Sequence, residues 1–294
     1  MEVGIALPQM AVGYGPRTTA DWARGADAGP FSSISAGERV TFSNPEMVAS
    51  LAAAAALTER VRILANLWVL PQHPMAMVAQ QIGTLDQLSN GRLEVAVGVG
   101  GREHDYQALG APFEARHRVL DDKVGELRQL LSGQPPFEGG DSVGPACVQP
   151  GGPRLLAGAM GPKSLARAAQ WADGVSGFSI GADIAEIERG NRKAVAAWEA
   201  AGRSSRPRLV SGCFVCVGVD DSEPLLHAFT ARYLGFLGTD LAEAVASTAQ
   251  VNSEDALARA LDGAAAAGCD EFILVPATPD LRCLEVAAKV VASR

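Results

Sequence analysis

The sequence predicts an α/β protein, a closed (β/α)8 or TIM barrel, and three observations support the barrel. The chain has 294 residues, which suits one barrel of about 250 residues with modest loop insertions. Short apolar runs alternate eight times with longer helix-like stretches, as expected for a parallel sheet. Arg62–Val69 is almost continuously apolar, which is typical of a strand buried on both faces. Eight units favour a closed barrel over an open doubly wound sheet.

The first half of the chain supplies four of these units. Pro8 closes the first strand, and Asn44 with Pro45 predicts the N-cap and first position of the second helix. The third helix is ended by Asn90-Gly91. The predicted strands are Val3–Leu7, Phe31–Ser35, Arg62–Val69 and Leu93–Val99, and the predicted helices are Thr18–Gly29, Pro45–Thr58, Pro74–Leu88 and Arg116–Leu131.

The second half repeats the pattern after a loop rich in glycine and proline, Gly133–Pro153. This loop is the only plausible linker, but a cut there would leave two half-barrels unable to bury their sheets. We therefore predict one domain over residues 1–294. The predicted strands are Arg154–Ala157, Gly174–Phe178, Leu209–Val217 and Glu271–Val275, and the predicted helices are Lys163–Trp171, Ala182–Ala201, Ser222–Leu237, Ser253–Ala267 and Asp280–Ala292.

Composition and charge exclude several classes of protein. Hydrophobic residues make up 48% of the chain and charged residues 20%, which is too apolar for disorder. The net charge of −8, without a cluster of Lys and Arg, argues against nucleic acid as a partner. The N-terminus has no signal-peptide pattern. The uncharged stretch Ile63–Leu85 contains two prolines and several polar residues, so we do not predict a membrane span. We expect a cytoplasmic protein.

The cysteines do not predict a metal or redox site. Cys213 and Cys216 form a C-x-x-C, but they lie in a predicted strand, where residues three apart point to opposite faces. There is no second pair, and no close group of His, Asp and Glu, so we expect no bound metal.

In a barrel of this kind the active site lies at the C-terminal ends of the strands. Two glycine-rich segments occur there, Gly98–Arg102 after the fourth strand and Gly158–Ser164 after the fifth. Glycine lets the backbone approach a flat ring or a phosphate, and Arg102 or Lys163 would supply positive charge. Neither segment fits a dinucleotide fingerprint or a P-loop. A tight turn without a ligand stays open as the alternative for both.

Four further side chains at strand ends are candidates for the site. Glu103 and Asp105 would serve as general acid or base if the pocket raises a pKa, the alternative being a solvated loop carboxylate. Met10 follows the first strand and His73 follows the third, where they would contact a substrate or cofactor.

Several motifs resemble the luciferase-like monooxygenase family. That family typically has a Pro, an Arg-His-Pro, an Ala-Lys-Gln, a Leu-Asp and a Ser-x-Gly-Arg leading into a Gly-x-Gly strand end. The resemblance extends over essentially the whole chain, and Ser89–Gly101 is its most specific part. The matching segments are Leu70–Pro74, Ala79–Gln81, Thr84–Asp86, Leu88–Leu93, Gly98–Gly101 and Trp171–Gly174.

The resemblance implies an oxidoreductase or monooxygenase that holds FMN or the deazaflavin coenzyme F-420 at the barrel mouth. The enzyme would catalyse hydride transfer or oxygen insertion on a small organic substrate. Members of the family are often homodimers, and a separate flavin reductase would be a further partner. A bulge at the end of the third strand, often with a cis peptide, would support the ring, and Trp68 next to it would contact substrate. The acid of some deazaflavin members falls near Glu103. The implied cofactor contacts are Asn66, Leu67, Gly100, Gly101, Arg102, Gly158, Ala159, Gly161 and Lys163.

The chain departs from the family at the end of the second strand. Many members have Asp-His there, whereas this chain has Gly37-Glu38-Arg39, and Gln72 replaces the usual Arg. Arginine cannot shuttle a proton near neutral pH, so we predict that Arg39 supplies fixed positive charge in the mouth. The alternative is that Arg39 pairs with Glu38 or another acidic residue outside the pocket.

Two other function classes stay open. One is a non-catalytic flavin-binding barrel. The other is a sugar-phosphate aldolase or isomerase, but the chain lacks a candidate Schiff-base lysine at a strand end, the nearest being Lys163.

Overall fold

The computed structural model describes residues 1–294 and shows eight parallel strands that close into a barrel, each paired with its neighbours in chain order. The predicted fold class is confirmed. The last strand pairs with the first through Glu2–Ile5 against Glu271–Leu274. The strands are β1 Glu2–Ala6, β2 Ser33–Ala36, β3 Arg62–Trp68, β4 Leu93–Val97, β5 Arg154–Ala157, β6 Gly174–Ser176, β7 Arg208–Val215 and β8 Glu271–Pro276.

Eleven helices connect the strands. Two of them, α4 and α9, were not predicted, and two short 3-10 turns occur at Leu70–Gln72 and Gly235–Leu237. None of the helices is long and apolar enough to cross a membrane. The helices are α1 Thr18–Ala28, α2 Met47–Leu57, α3 Met75–Leu88, α4 Glu103–Ala108, α5 Arg116–Leu131, α6 Pro162–Ala168, α7 Ile184–Ala200, α8 Ser222–Leu234, α9 Thr239–Ala246, α10 Glu254–Ala266 and α11 Leu281–Ala292.

Several predicted ends of helices and strands were wrong. The second helix begins at Met47, and its N-cap is Glu46, whose carboxylate accepts from the amides of Val48 and Ala49. The Asn44 side chain instead donates to the Pro45 carbonyl at 2.8 Å, so it does not cap the helix. Strand β4 ends at Val97, before the glycines that were predicted to belong partly to it.

The core has two layers, one inside the barrel and one between strands and helices. Small and branched residues from six strands fill the interior, among them Leu64, Leu156 and Ile273. The larger layer, between sheet and helices, contains 48 buried residues. Cys213 belongs to that outer layer, whereas Cys216 packs in a separate cluster with Phe214, so the two thiols face opposite sides as predicted.

The N-terminal end of the barrel, called the lower end below, is closed by charged side chains. Glu271 is fully buried, and its Oε2 lies 2.8 Å from Arg62 Nη2 and 2.6 Å from Arg208 Nη2. Arg208 Nε also lies 3.2 Å from Glu94 Oε1. Burial raises the pKa of Glu94 despite these arginines. Burial would also raise the pKa of Glu2, but hydrogen bonds from Arg62 and Arg208 lower it to about 2.

Candidate active site

A cavity of about 300 Å³ opens at the C-terminal end of the barrel, called the mouth below. Residues from or just beyond every strand except β5 line it, together with residues of α8. Such a position is where barrel enzymes place their active sites. Seven of the predicted site residues line the cavity, namely Met10, Arg39, Asn66, Leu67, Gly100, Gly101 and Arg102.

The cavity floor is formed by the end of β3, where the pairing with β4 shifts register between Asn66 and Trp68. This register shift is the bulge expected from the resemblance, and the Asn66–Leu67 peptide is cis. Asn66 Oδ1 accepts a hydrogen bond of 2.8 Å from Ser176 Oγ on β6. The Leu67 side chain lies against Gly158, where a Cβ atom would come within 2.5 Å of Leu67 Cδ2.

Seven predicted residues do not line the cavity, and their proposed roles stay predictions. The bulge places Trp68 in the outer core, where it is 1% exposed. Gly158 and the buried Ala159 serve packing at the end of β5. Gly161 and Lys163 are exposed at the start of α6, and Ser164 Oγ already accepts from the Gly161 amide at 3.1 Å. The other two, Glu103 and His73, are described below.

Two strand ends meet in an acid–base pair of Glu38 and His73. Glu38 lines the cavity, and its Oε1 lies 2.6 Å from His73 Nε2. Its Oε2 accepts from the Val69 amide at 2.7 Å. His73 therefore lies behind Glu38 and does not line the cavity. The two residues are far apart in sequence, but both follow adjacent strands, β2 and β3, and that placement was the signal available in the sequence.

The Arg39 side chain lines the mouth and does not pair with Glu38. Its guanidinium carbon lies 3.9 Å from the centroid of the Tyr233 ring, and Phe42 and Phe236 lie at 5.2 and 5.4 Å. Nη2 donates to the Tyr233 carbonyl at 3.2 Å. Nη1 is buried and contacts no hydrogen-bonding partner in the chain. The prediction that Arg39 points into the mouth is consistent with this placement.

Arg102 also lines the mouth, but the chain provides its partners. Its Nη2 donates to the Thr41 carbonyl at 2.8 Å, and its Nε lies 3.4 Å from Asp105 Oδ2. Burial would raise the pKa of Asp105, but hydrogen bonds from Thr41 and the charge of Arg102 lower it. Glu103, the first residue of α4, is exposed outside the cavity. The carboxylate that α4 turns inward is therefore Asp105, and its lowered pKa contradicts the expectation that the pocket would raise it for acid or base catalysis.

Two buried amides complete the polar part of the cavity. Gln9 is 2% exposed and Gln72 is 7% exposed, and both line the cavity. Gln9 Nε2 and Gln72 Oε1 have no partner within the chain, although buried polar groups are normally hydrogen-bonded. The opposite wall is apolar and includes Phe178 and Phe214. A largely apolar cavity with a few convergent polar groups is typical of a small-molecule site. No three His, Cys, Asp or Glu side chains are grouped so that they could hold a metal ion.

The chain is similar to a known family of proteins. Residues 1–278 match the family model described as luciferase-like monooxygenase. An uncharacterised protein of Mycobacterium tuberculosis is 31% identical over 169 residues, which are 55% of this chain and 59% of that relative. The match therefore spans less than two thirds of the relative's length.

Two solved structures have a similar fold at low sequence identity. The coenzyme F-420-dependent tetrahydromethanopterin reductase from Methanopyrus kandleri is 18% identical, with a TM-score of 0.76, and the match covers 100% of this chain and 99% of that one. The oxygenating constituent of a 3,6-diketocamphane monooxygenase from Pseudomonas putida, in complex with FMN, is also 18% identical, with a TM-score of 0.72 and coverage of 100% and 98%. At such identity the likeness shows the barrel fold alone.

Proposed function

The chain belongs to the luciferase-like monooxygenase family, and on that premise we propose that it is a flavin- or deazaflavin-dependent oxidoreductase acting on a small organic substrate at the barrel mouth. One observation carries the proposal. Gln9, Gln72 and Arg39 all line one largely apolar cavity, and each has a buried polar atom without a hydrogen-bond partner. A planar ring with polar edges would satisfy these atoms and also fill the apolar space.

The residues present fit such a cofactor. The Gln9 amide would donate to a ring carbonyl, and Gln72 Oε1 would accept from a ring N–H, while Leu67 would support the ring from below. FMN or coenzyme F-420 would supply the hydride or oxygen chemistry. Both cofactors stay in the proposal because one structural neighbour is F-420-dependent and another is in complex with FMN.

Proton movement would fall to Glu38 and His73. Glu38 is a cavity-lining carboxylate in contact with an imidazole, so a proton taken up at Glu38 Oε1 has a path to His73 Nε2. Arg39 cannot exchange protons near neutral pH and would act through its charge alone. We propose this pair in place of Glu103, because that side chain lies in solvent.

A titration with FMN and with coenzyme F-420, followed by fluorescence quenching, tests the proposal. We expect one of the two to bind, and Gln72→Leu to weaken its affinity by about tenfold, since a buried hydrogen bond contributes about 1 kcal/mol or more. Glu254→Gln, an exposed substitution on α10, is the matched control and should bind normally. The proposal fails if neither cofactor binds to the wild-type protein.

Turnover separates an enzyme from a non-catalytic flavin-binding barrel. Glu38→Gln keeps the shape of the side chain and should abolish most of the turnover while leaving the cofactor affinity within about threefold. Binding without turnover by any tested reductant or alcohol would favour the non-catalytic alternative. The predictions of a homodimer and of a separate reductase partner remain proposals, and sedimentation equilibrium would test the first.

A further inference from the structure

A second arginine, Arg232 on α8, lies beside Arg39 at the mouth. Its guanidinium carbon is 4.5 Å from the centroid of the Phe42 ring, which Arg39 also contacts. Its Nη1 donates to Ser43 Oγ at 3.2 Å and its Nη2 to the Met10 carbonyl. Burial and then the charge of Arg39 lower the pKa of Arg232. The two cations are thus close enough to repel one another.

Neither of these cations has a counter-charge in the chain. No carboxylate forms an ion pair with Arg39 or Arg232, and the two carboxylates nearby are already engaged. Glu38 contacts His73 and the Val69 amide, and Asp105 contacts Arg102 and Thr41. This is unusual in a chain with 33 acidic and 25 basic residues. Two like charges held together without a counter-ion cost free energy, which a bound anion would recover.

The two guanidinium groups also have N–H donors without hydrogen-bond partners. Arg39 Nη1 and Arg232 Nε are both buried and unpartnered. Phe42, Tyr233 and Phe236 surround Arg39, so a charge-assisted hydrogen bond formed there would be screened less than at the surface.

We propose that the mouth contains an anion subsite in which Arg39, supported by Arg232, binds the carboxylate or phosphate of the ligand whose apolar part fills the cavity. The inference builds on the proposed function, because it names the chemical class recognised at the same site. The anion belongs either to the substrate or to the tail of the cofactor, since FMN has a phosphate and coenzyme F-420 has a phosphate and carboxylates. Both sources offer Arg39 the same chemistry.

The first experiment uses the protein without cofactor, with inorganic phosphate and benzoate as probes. Thermal unfolding is followed at constant ionic strength, with chloride as the replaced anion. We expect phosphate or benzoate to raise the Tm of the wild type. Arg39→Gln should weaken this binding by about 10- to 100-fold, as expected for a lost charge-assisted hydrogen bond, and Arg39→Lys should restore part of it. Arg203→Gln, which removes a guanidinium near Trp198 away from the mouth, is the matched control.

The stability of Arg39→Gln without any anion gives an independent check. Since the substitution relieves repulsion with Arg232, its Tm should equal or exceed that of the wild type. A lower Tm together with unchanged anion affinity would mean that Arg39 is only structural, and the subsite would be refuted.

A second experiment identifies the source of the anion. If the cofactor tail occupies the subsite, Arg39→Gln should weaken the binding of FMN but not of riboflavin, or of coenzyme F-420 but not of its deazaflavin fragment without the phosphate and carboxylates. If the substrate occupies it, all four should bind Arg39→Gln normally, and benzoate or phosphate should still bind the loaded wild type but not the loaded variant. Either result supports the subsite. If Arg39→Gln changes neither the affinity for a cofactor nor the binding of the anions, the subsite is refuted. Anion binding by a wild-type protein that binds neither cofactor would refute the proposed function alone.

Discussion

Both ends of the barrel hold three arginines, but only the lower end provides a carboxylate partner for each of them. At the lower end Arg62, Arg154 and Arg208 interleave with Glu2, Glu94 and Glu271. At the mouth Arg39, Arg102 and Arg232 surround aromatic rings, and Asp105 pairs with Arg102 alone.

The difference separates structural charge from charge available for binding. A buried guanidinium whose partners all come from the chain stabilises or specifies the fold. Unpartnered N–H groups occur at both ends, for instance at Arg62 Nε and Arg208 Nε, but a guanidinium that also has no carboxylate beside it is set for a partner from outside the chain. The number of carboxylate partners that an arginine has therefore indicates its role better than the residue type alone does.

The largest effect expected concerns the lower end. Glu271 accepts from Ser32 and Ser33 at 2.6 Å in addition to the two arginines, so Glu271→Gln would leave buried positive charge uncompensated. We expect a loss of about 3–5 kcal/mol in the free energy of unfolding, measured in urea. Glu254→Gln, which breaks an exposed pair with Lys289, should cost less than about 1 kcal/mol. Equal losses in the two variants would show that burial does not distinguish them.

An intermediate effect is expected when the one neutralised arginine of the mouth loses its partner. Asp105→Asn removes a charge that accepts from the Thr41 amide at 2.7 Å and faces Arg102. The free energy of unfolding should fall by about 1.5–3 kcal/mol. Phosphate affinity should rise at the same time, because Arg102 would join the uncompensated charge. A fall in phosphate affinity would contradict the contrast between the two ends.

The smallest effect should appear in the pH dependence of the lower end. The pKa of Glu2 falls from 4.5 to about 2 in the folded protein, so its stabilising contribution is present above pH 4.5 and is lost as the pH falls towards 2. The side chain is 44% exposed, and we expect less than about 1 kcal/mol. The Tm difference between wild type and Glu2→Gln should shrink from pH 6 to pH 2.5. A constant difference would show that hydrogen bonding and not charge matters there.

The barrel itself was predictable because its signal is local and repeated. Apolar runs such as Arg62–Val69 and helix-ending glycines recur with the period that a parallel barrel requires. The helices α4 and α9 were missed because both are short. Helix α4 follows the glycine-rich end of β4, and α9 follows α8 after a 3-10 turn.

The site was only half predictable, because its partners are distant in sequence. Arg39 could be singled out as a departure at a strand end, but nothing local indicates that Arg232 on α8 lies beside it. The Glu38–His73 contact likewise depends on how two neighbouring strands end. Lys163 has the charge and the helix start expected of an anion site, but it lies in solvent beyond the cavity.

Leu67 sets the depth of the cavity, and its side chain packs against residues that do not line the cavity. A Cβ atom at Gly98 or Gly158 would come within 3.1 or 2.5 Å of the Leu67 side chain, and the tighter contact is at Gly158. Alanine at Gly158 would therefore push Leu67 upward into the cavity. Glycine and alanine codons differ by one base, so a single mutation outside the binding surface is enough to change the size of molecule admitted. The volume of the cavity can therefore change in evolution while every residue that contacts the ligand stays the same.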